Sequence, residues 1–294
     1  MTDHARDFET MLSAMRPTLH RYCARMTGSA VDGEDVVQDA MVKALLARES
    51  VGPLDNPEGW LFRIAHNAAL DFLRRRKRTV QLGTEEDLAM VAAPDKPDPD
   101  IATASLRTFL RLPALQRSTV ILKDVLGHSL EEISAISGAT EAAAKSALQR
   151  GRARLRELAT EPDDIELPML SEAMRARLVA YVEGFKVGDF DAVRAMLADD
   201  VKLDLVATSF QKRGKSEVGE YYGAYEAAGE KWAFAPGAVD GRAAMLVYER
   251  EVSLAAPAYF VVLDFVGGRV SSIHDFLYAR YAMEGITVQI VDRS

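Results

Sequence analysis

Through most of the first 160 positions, apolar residues recur at intervals of three and four, the spacing that lays one apolar stripe along a helix. Phe8, Met11, Leu12, Met15, Leu19, Tyr22 and Met26 predict a helical segment over 5–26, and Pro17 inside it predicts two short helices or a kink. A second helix is expected from Asp32 to Arg48, its apolar face supplied by Val36, Val37, Ala40 and Leu45. Asp32, Glu34 and Asp35 sit at its start, where the helix dipole favours acids. Gly52, Pro53, Asn56 and Pro57 make 49–58 a loop. Trp60, Leu61, Ile64, Ala68, Phe72 and Leu73 then stripe a third helix over Gly59–Arg78, which closes on five consecutive basic residues, Arg74 to Arg78. Trp60, Phe62 and Phe72 could stack on bases, but helical spacing favours packing for each.

Residues 79–104, which include PDKPDPD, are acidic and Pro-rich and predict an extended, solvated linker. Two helices follow, Leu106–Leu112 and Ala114–Leu126, which supply Leu106, Phe109, Leu110, Leu115, Val120, Ile121, Leu122 and Val125 to a small core. Ser129 and Glu132 then have the spacing of a capping box, ahead of an apolar face made by Leu130, Ile133 and Ile136. Gly138 is placed to end that helix and Thr140 to cap the next. In the next helix Ala144, Leu148, Leu155 and Leu158 face inward, and Lys145, Ser146, Gln149, Arg150, Arg152, Arg154 and Arg156 fall largely off that stripe. Two helices on a tight turn, the second basic, form a helix-turn-helix, whose second helix enters the DNA major groove.

Beyond a second acidic linker at 161–170 the periodicity changes. Helices are expected over Ser171–Val187, Phe190–Leu197 and Ser216–Ala227. Strands are expected over Ala243–Arg250, Tyr259–Phe265, Arg269–Phe276 and Ile286–Val291, with a Gly267-Gly268 turn. Helices followed by an antiparallel sheet is an α+β pattern. His274 and Asp275, adjacent on a strand, point to opposite faces and cannot form a dyad.

Charge sharpens this division. The 294 residues suffice for two or three domains, and their formal net charge of −8 argues against DNA binding only if taken whole. Residues 106–160 hold 9 Lys and Arg against 5 Asp and Glu, whereas the excess acid lies in the first linker and beyond residue 160. Cys23 is the only cysteine, which excludes an intrachain disulfide and suits a reducing cytoplasm. No apolar run is long enough to span a bilayer, and MTDHARDFET is too polar for a signal peptide. No catalytic residue, metal or cofactor is expected.

GEDVVQDAMVKAL, WLFRIAHNAALDFLRRRKR and LPALQRSTVILKDVLGHSLEEISAISGATEAAAKSALQRGRARL, in that order, resemble a bacterial sigma-70 family factor of the extracytoplasmic-function group. The resemblance covers about residues 5–160. It implies an all-α region 2 at 1–80, a linker at 81–105 and an all-α region 4 at 106–160 carrying the helix-turn-helix. It also implies core RNA polymerase and promoter DNA, duplex and melted, as partners, with region 2 opening the downstream element and region 4 reading the upstream one. By similarity Asp35, Gln38 and Asp39 contact polymerase. The loop at 49–58 with Asn67 and Asp71 faces the melted strand, Arg74, Arg75, Arg76, Lys77 and Arg78 supply phosphate contacts, and Thr140, Lys145, Ser146, Gln149, Arg150 and Arg152 meet the upstream duplex. The family usually has Val at 144 and Arg at 147, where this chain has alanine. VEGFKVGDFDAVRAMLADDV and VGGRVSSIHDFLYARY resemble the SnoaL-like, cone-shaped α+β domain, placed at 171–294. That fold includes cyclases and isomerases besides non-catalytic binders, and Trp232, Tyr248 and His274 are candidates to line a small-molecule cavity. The C-terminal domain is therefore expected to regulate the factor. The alternative is a SnoaL-like enzyme tethered to DNA or polymerase by its N-terminal helices.

Overall fold

The first apolar stripe folds as one helix, α1 (Asp3–Thr27), which continues through Pro17. The expected division is absent. Leu12 before the proline and Leu19, Tyr22, Cys23 and Met26 after it are buried in one core, and this burial offsets the roughly 3 kcal/mol that a proline costs a helix interior. The Ser29 hydroxyl accepts the Asp32 amide, 3.1 Å, at the start of α2 (Ala30–Val51). Asn56 accepts the Gly59 amide, 2.8 Å, and puts Pro57 at the first position of α3 (Pro57–Thr79), where a missing N–H costs nothing. The computed structural model describes residues 3–51, 54–79, 101, 104–159 and 169–291, excepting the side chains of 3–7, 49–51 and 77–79. The expected linkers lie almost wholly outside the described residues.

Further helices follow: α4 (Leu106–Leu110), α5 (Ala114–Val120), α6 (Leu130–Ser137) and α7 (Glu141–Ala159). Between α5 and α6 the chain widens into one π-helical turn, Ile121–Val125. These helices have no separate core. Phe109, Val120, Ile121, Ile133 and Leu148 join Leu19, Tyr22 and Phe62 in one continuous cluster, so residues 1–164 form a single compact unit.

The second unit, 165–294, contains α8 (Glu172–Val187), α9 (Phe190–Ala195) and α10 (Lys215–Ala228). Its strands are β1 (Leu197–Leu205), β2 (Gln211–Arg213), β3 (Trp232–Val239), β4 (Arg242–Glu249), β5 (Tyr259–Val266), β6 (Arg269–Asp275) and β7 (Val288–Ile290). They form one sheet in the order β2-β1-β6-β5-β4-β3-β7. The sheet is mixed rather than antiparallel, because β1 lies parallel to β6 while every other neighbouring pair of these strands is antiparallel. Leu178, Val182, Phe185, Val218 and Tyr222 of α8 and α10 pack on Met245, Val247, Val261, Leu263 and Ile273, which covers one sheet face. This is the expected α+β class. Among the described residues no helix is long and apolar enough to cross a membrane.

Candidate nucleic-acid and polymerase interface

The helix-turn-helix is built by its caps. Ser129 accepts the Glu132 amide while the Glu132 carboxylate accepts the Ser129 amide, closing the capping box at the start of α6. Gly138 ends α6 in the left-handed region, φ +73°, at no steric cost. Thr140 accepts the Ala143 amide, 3.2 Å, and opens α7. Ala144, Ala147, Leu148, Gly151, Leu155 and Leu158 are buried. Gly151 permits the closest approach: a Cβ there would stand 2.7 Å from Val120 Cγ2 and 3.1 Å from the Gln116 carbonyl on α5.

That packing leaves Thr140 and Lys145 exposed and Ser146, Gln149 and Arg150 half-buried on the outer side of α7. Arg152 is not among them. Its side chain is 1 % exposed and forms a two-pronged ion pair with Asp124, Nε to Oδ2 at 2.8 Å and Nη2 to Oδ1 at 2.5 Å. The assignment of Arg152 to DNA is therefore corrected. Position 152 follows 148 by four and shares the buried stripe, and Asp124, in the π turn, supplies the counter-charge that lets a guanidinium lie there.

In α3, Asn67, Asp71, Arg74 and Arg75 are exposed at intervals that place them on one side, and exposed Arg63, which the sequence motifs did not single out, extends the row by one turn. Arg74 pairs with Asp71 at 3.0 Å and Arg76 with Asp32 at 3.1 Å. The Arg74–Asp71 pair is exposed on both sides and worth at most about 1 kcal/mol, so a phosphate can displace that carboxylate, whereas the Asp32 carboxylate facing Arg76 is largely buried. The side chains of Lys77 and Arg78 lie outside the described residues. Beneath this face the Tyr22 hydroxyl and His66 Nδ1 share a hydrogen bond of 2.7 Å, and burial together with the Arg74 charge pushes the imidazole down to about 4.

On α2, Asp35 and Gln38 are exposed and Asp39 is half-buried. Arg16 donates to Gln38 Oε1, 2.7 Å, and to the buried Glu34, while Asp39 pairs with Lys43 at 2.8 Å. The same side continues into exposed Val42, Leu45 and Leu46, of which Leu46 is 78 % exposed. Periodicity assigns Leu45 to the core, because 45 follows 37 and 41 by fours, but it is exposed, while Ala44 beside it is buried and Arg48 further along α2 lies over the Phe8 ring of α1.

The C-terminal candidates do not converge. Register places Trp232 opposite Glu249, hence on the sheet face of Met245 and Val247, whereas Tyr248 and His274 share the other face with Ala244 and Val262. His274 bonds the Ser272 hydroxyl at 2.8 Å. A polar centre forms instead around Asp275, fully buried on the helix-covered face, whose tyrosine partners the sequence reading did not name. Tyr221 and Tyr225 both donate to its Oδ2, Tyr225 from 2.6 Å, the Leu277 amide meets Oδ1 at 2.8 Å, and Tyr259 lies 3.1 Å from the Tyr225 hydroxyl. Burial pushes the Asp275 carboxyl up, opposed by its two tyrosine donors. The spacing of Tyr221 and Tyr225, one turn apart on a predicted helix, was the available signal.

Residues 11–79 match Sigma-70 region 2 and residues 106–155 match Sigma-70, region 4. The chain is 34% identical over 162 residues to the RNA polymerase sigma factor CarQ of Myxococcus xanthus, covering 54% of this chain and 93% of CarQ. It is 27% identical over 314 residues to the ECF RNA polymerase sigma factor SigG of Mycobacterium tuberculosis, covering 92% of this chain and 81% of SigG. Among solved structures, the sigma factor RpoE of Bartonella quintana, crystallised with the anti-sigma factor NepR, is 30% identical with a TM-score of 0.42, covering 53% of this chain and 99% of RpoE. Two sigma regions in order, each with its polar face outward, and the likeness to CarQ along nearly its full length have one conclusion: the chain belongs to the RNA polymerase sigma factors of the extracytoplasmic-function group, which bind core polymerase and direct it to promoters without catalysing a step of their own.

Proposed function

We propose that three outward faces divide the work of promoter recognition. The α2 face, Asp35, Gln38 and Asp39 continued by Val42, Leu45 and Leu46, docks on core polymerase. The loop before α3, with Asn67, Asp71 and the basic run from Arg74 to Arg78, holds the melted downstream strand. Thr140, Lys145, Ser146, Gln149 and Arg150 read the upstream duplex. One observation carries this reading: the buried stripe of α7 leaves these polar side chains on its outer side, and the one predicted contact that falls inside, Arg152, has a partner there. Phosphate contacts position the helix, whereas Gln149 and Arg150 are suited to base edges. The division into region 2 at 1–80, region 4 at 106–160 and a C-terminal domain at 171–294 goes with this, as does a cytoplasmic site of action. The C-terminal domain regulates the factor, and a small ligand is one means of doing so.

The test is transcription by core polymerase plus the full chain on a genomic promoter library. Gln149→Ala and Arg150→Ala should change which upstream sequences are recovered, and Arg74→Ala with Arg75→Ala should weaken complexes on all of them. Unchanged sequence preference in both α7 variants would remove the assignment. Equal transcription by the full chain and a 1–162 truncation would remove the regulatory role.

A further inference from the structure

The two edges of the C-terminal sheet are unlike. The strand order begins at β2 and ends at β7, so among the described residues no strand pairs with the outer edge of either. An open edge carries a row of N–H and C=O groups that a further strand can join, and proteins blunt such edges with charged side chains, lysine above all. β2 is blunted in this way: it consists of Gln211, Lys212 and Arg213, and Arg213 stands directly opposite Lys202 of β1. β7 is not. The run at 285–291, GITVQIV, holds no charge and no proline, and Ile286, Thr287, Val288, Ile290 and Val291 are all β-branched, the type that favours extended backbone. Within it Ile290 is 63 % exposed.

The pairing of β7 with β3 fixes which main-chain groups face outward. Ile290 lies opposite Gly237, and the Val291 amide donates to the Pro236 carbonyl at 2.9 Å. Val291 and, two residues back, Gln289 therefore turn their N–H and C=O towards β3, while Val288 and Ile290 turn theirs to the open side. A second copy of the strand, laid antiparallel about Gln289, sets Val288 against Ile290 of the other copy and Ile290 against its Val288. Both are pairs in which each residue donates and accepts, so every outward group of the two residues finds a partner. The side chains of Val288 and Ile290 share one face of the strand, so each exposed isoleucine packs on a valine across the joint. Gln289 meets its own copy, and no like charges face each other.

We propose that β7 is a self-association surface, at which two copies of this chain join edge to edge and continue one sheet across a two-fold axis. A contact of that symmetry brings a segment against itself and requires it to be self-complementary, which the uncharged run around Gln289 is. An unlike strand is disfavoured as partner, because the register that satisfies Val288 and Ile290 completely is the symmetric one. A strand pair this short buries less than the roughly 1,000 Å² of a stable interface, so the dimer is weak and its population rises with chain concentration across the micromolar range. This association is independent of the promoter assignment, since it uses the C-terminal unit alone.

The experiment is sedimentation velocity on the full chain from about 1 to about 500 µM, over which monomer should pass into dimer. Ile290→Lys, which brings two cations to the joint, should raise the dissociation constant at least about tenfold. Val288→Pro removes an outward N–H and no bond to β3, and should act alike. In a Cys23→Ser background, Gln289→Cys should form a disulfide-linked dimer on mild oxidation, because its pair across the joint sets the Cα atoms about 4.5 Å apart, within reach of a disulfide. Gln211→Cys, on the β2 edge, should stay monomeric. A monomer at every concentration, a dimer that persists undiminished in Ile290→Lys and Val288→Pro, or Gln289→Cys linking no faster than Gln211→Cys overturns the proposal. The disulfide comparison decides the matter should either edge variant not fold.

Discussion

Replacing Arg152 by alanine should destabilise the N-terminal unit far more than it alters DNA binding directly. The Arg152 and Asp124 side chains are 1 % and 0 % exposed, so removing the guanidinium leaves a carboxylate in the core with no cation to face. Breaking one side of such a pair costs about 3–5 kcal/mol, against less than about 0.5 kcal/mol for an arginine on the outer surface. At about 2–4 °C per kcal/mol for a unit of this size, the midpoint should fall by roughly 6–20 °C. Asp124→Ala should be comparably damaging. The double change Arg152→Met with Asp124→Leu should restore most of the loss, because an apolar pair of similar volume avoids the desolvation cost of both ions. The chain has two tryptophans, one in each unit, so Trp232→Phe leaves Trp60, packed against Phe8 at 6.3 Å, to report the N-terminal unit alone. Thermal unfolding followed by that fluorescence is the assay. A midpoint within about 2 °C of the parent, together with a shallower salt dependence of promoter binding, would return Arg152 to the DNA face and refute the argument.

Lys145→Ala should weaken promoter binding on all sequences alike and lower the slope of log affinity against log salt by about 0.9, the share of one phosphate contact, with an unchanged unfolding midpoint. His66 is held neutral in the fold, its imidazole at about 4 against an ordinary 6.5, so the folded chain binds fewer protons than the unfolded one between those values. Its contribution is complete above pH 6.5 and is lost as pH falls towards 4, about 2 kcal/mol by pH 5; urea midpoints compared with a His66→Asn variant should show that difference. Gly151→Ala adds a Cβ 2.7 Å from Val120 Cγ2, and the strain should outweigh alanine's helix propensity, a net loss of about 1–3 kcal/mol in the same unfolding assay.

Wherever apolar spacing and caps agree, the fold was legible. The capping box at Ser129, the glycine at 138 and the cap at Thr140 are local devices, and each formed where its spacing put it. Legibility failed where a distant partner decides. Pro17 and Pro236 both interrupt a pattern, yet α1 runs on because its neighbours bury it, and β3 forms because β4 pairs it along its whole length. The parallel pairing of β1 with β6 joins segments about seventy residues apart, and no turn signal announces it. At the site, exposure on α7 followed from the helical period alone, but Asp124 and Arg152 are 28 residues apart and meet only through the π turn.

The same failure bears on counting charge. Residues 106–160 carry nine basic side chains, and that surplus pointed to a nucleic-acid partner, yet two of the nine never reach the surface. Arg117 is used on main-chain carbonyls and Arg152 on Asp124, so Lys145, Arg150, Arg154 and Arg156 carry the outward charge of α7. Of these, Arg154 also pairs with Glu157 at 2.9 Å. The electrostatic attraction of region 4 for DNA is therefore smaller than composition implies, and under the proposed assignment a correspondingly larger share of its selectivity would fall to the few side chains at the start of α7. Arginine serves both ends because its planar fork can satisfy several acceptors at once while remaining charged. In this chain an arginine on the inner stripe fixes where the helices sit, whereas one off that stripe is available to DNA.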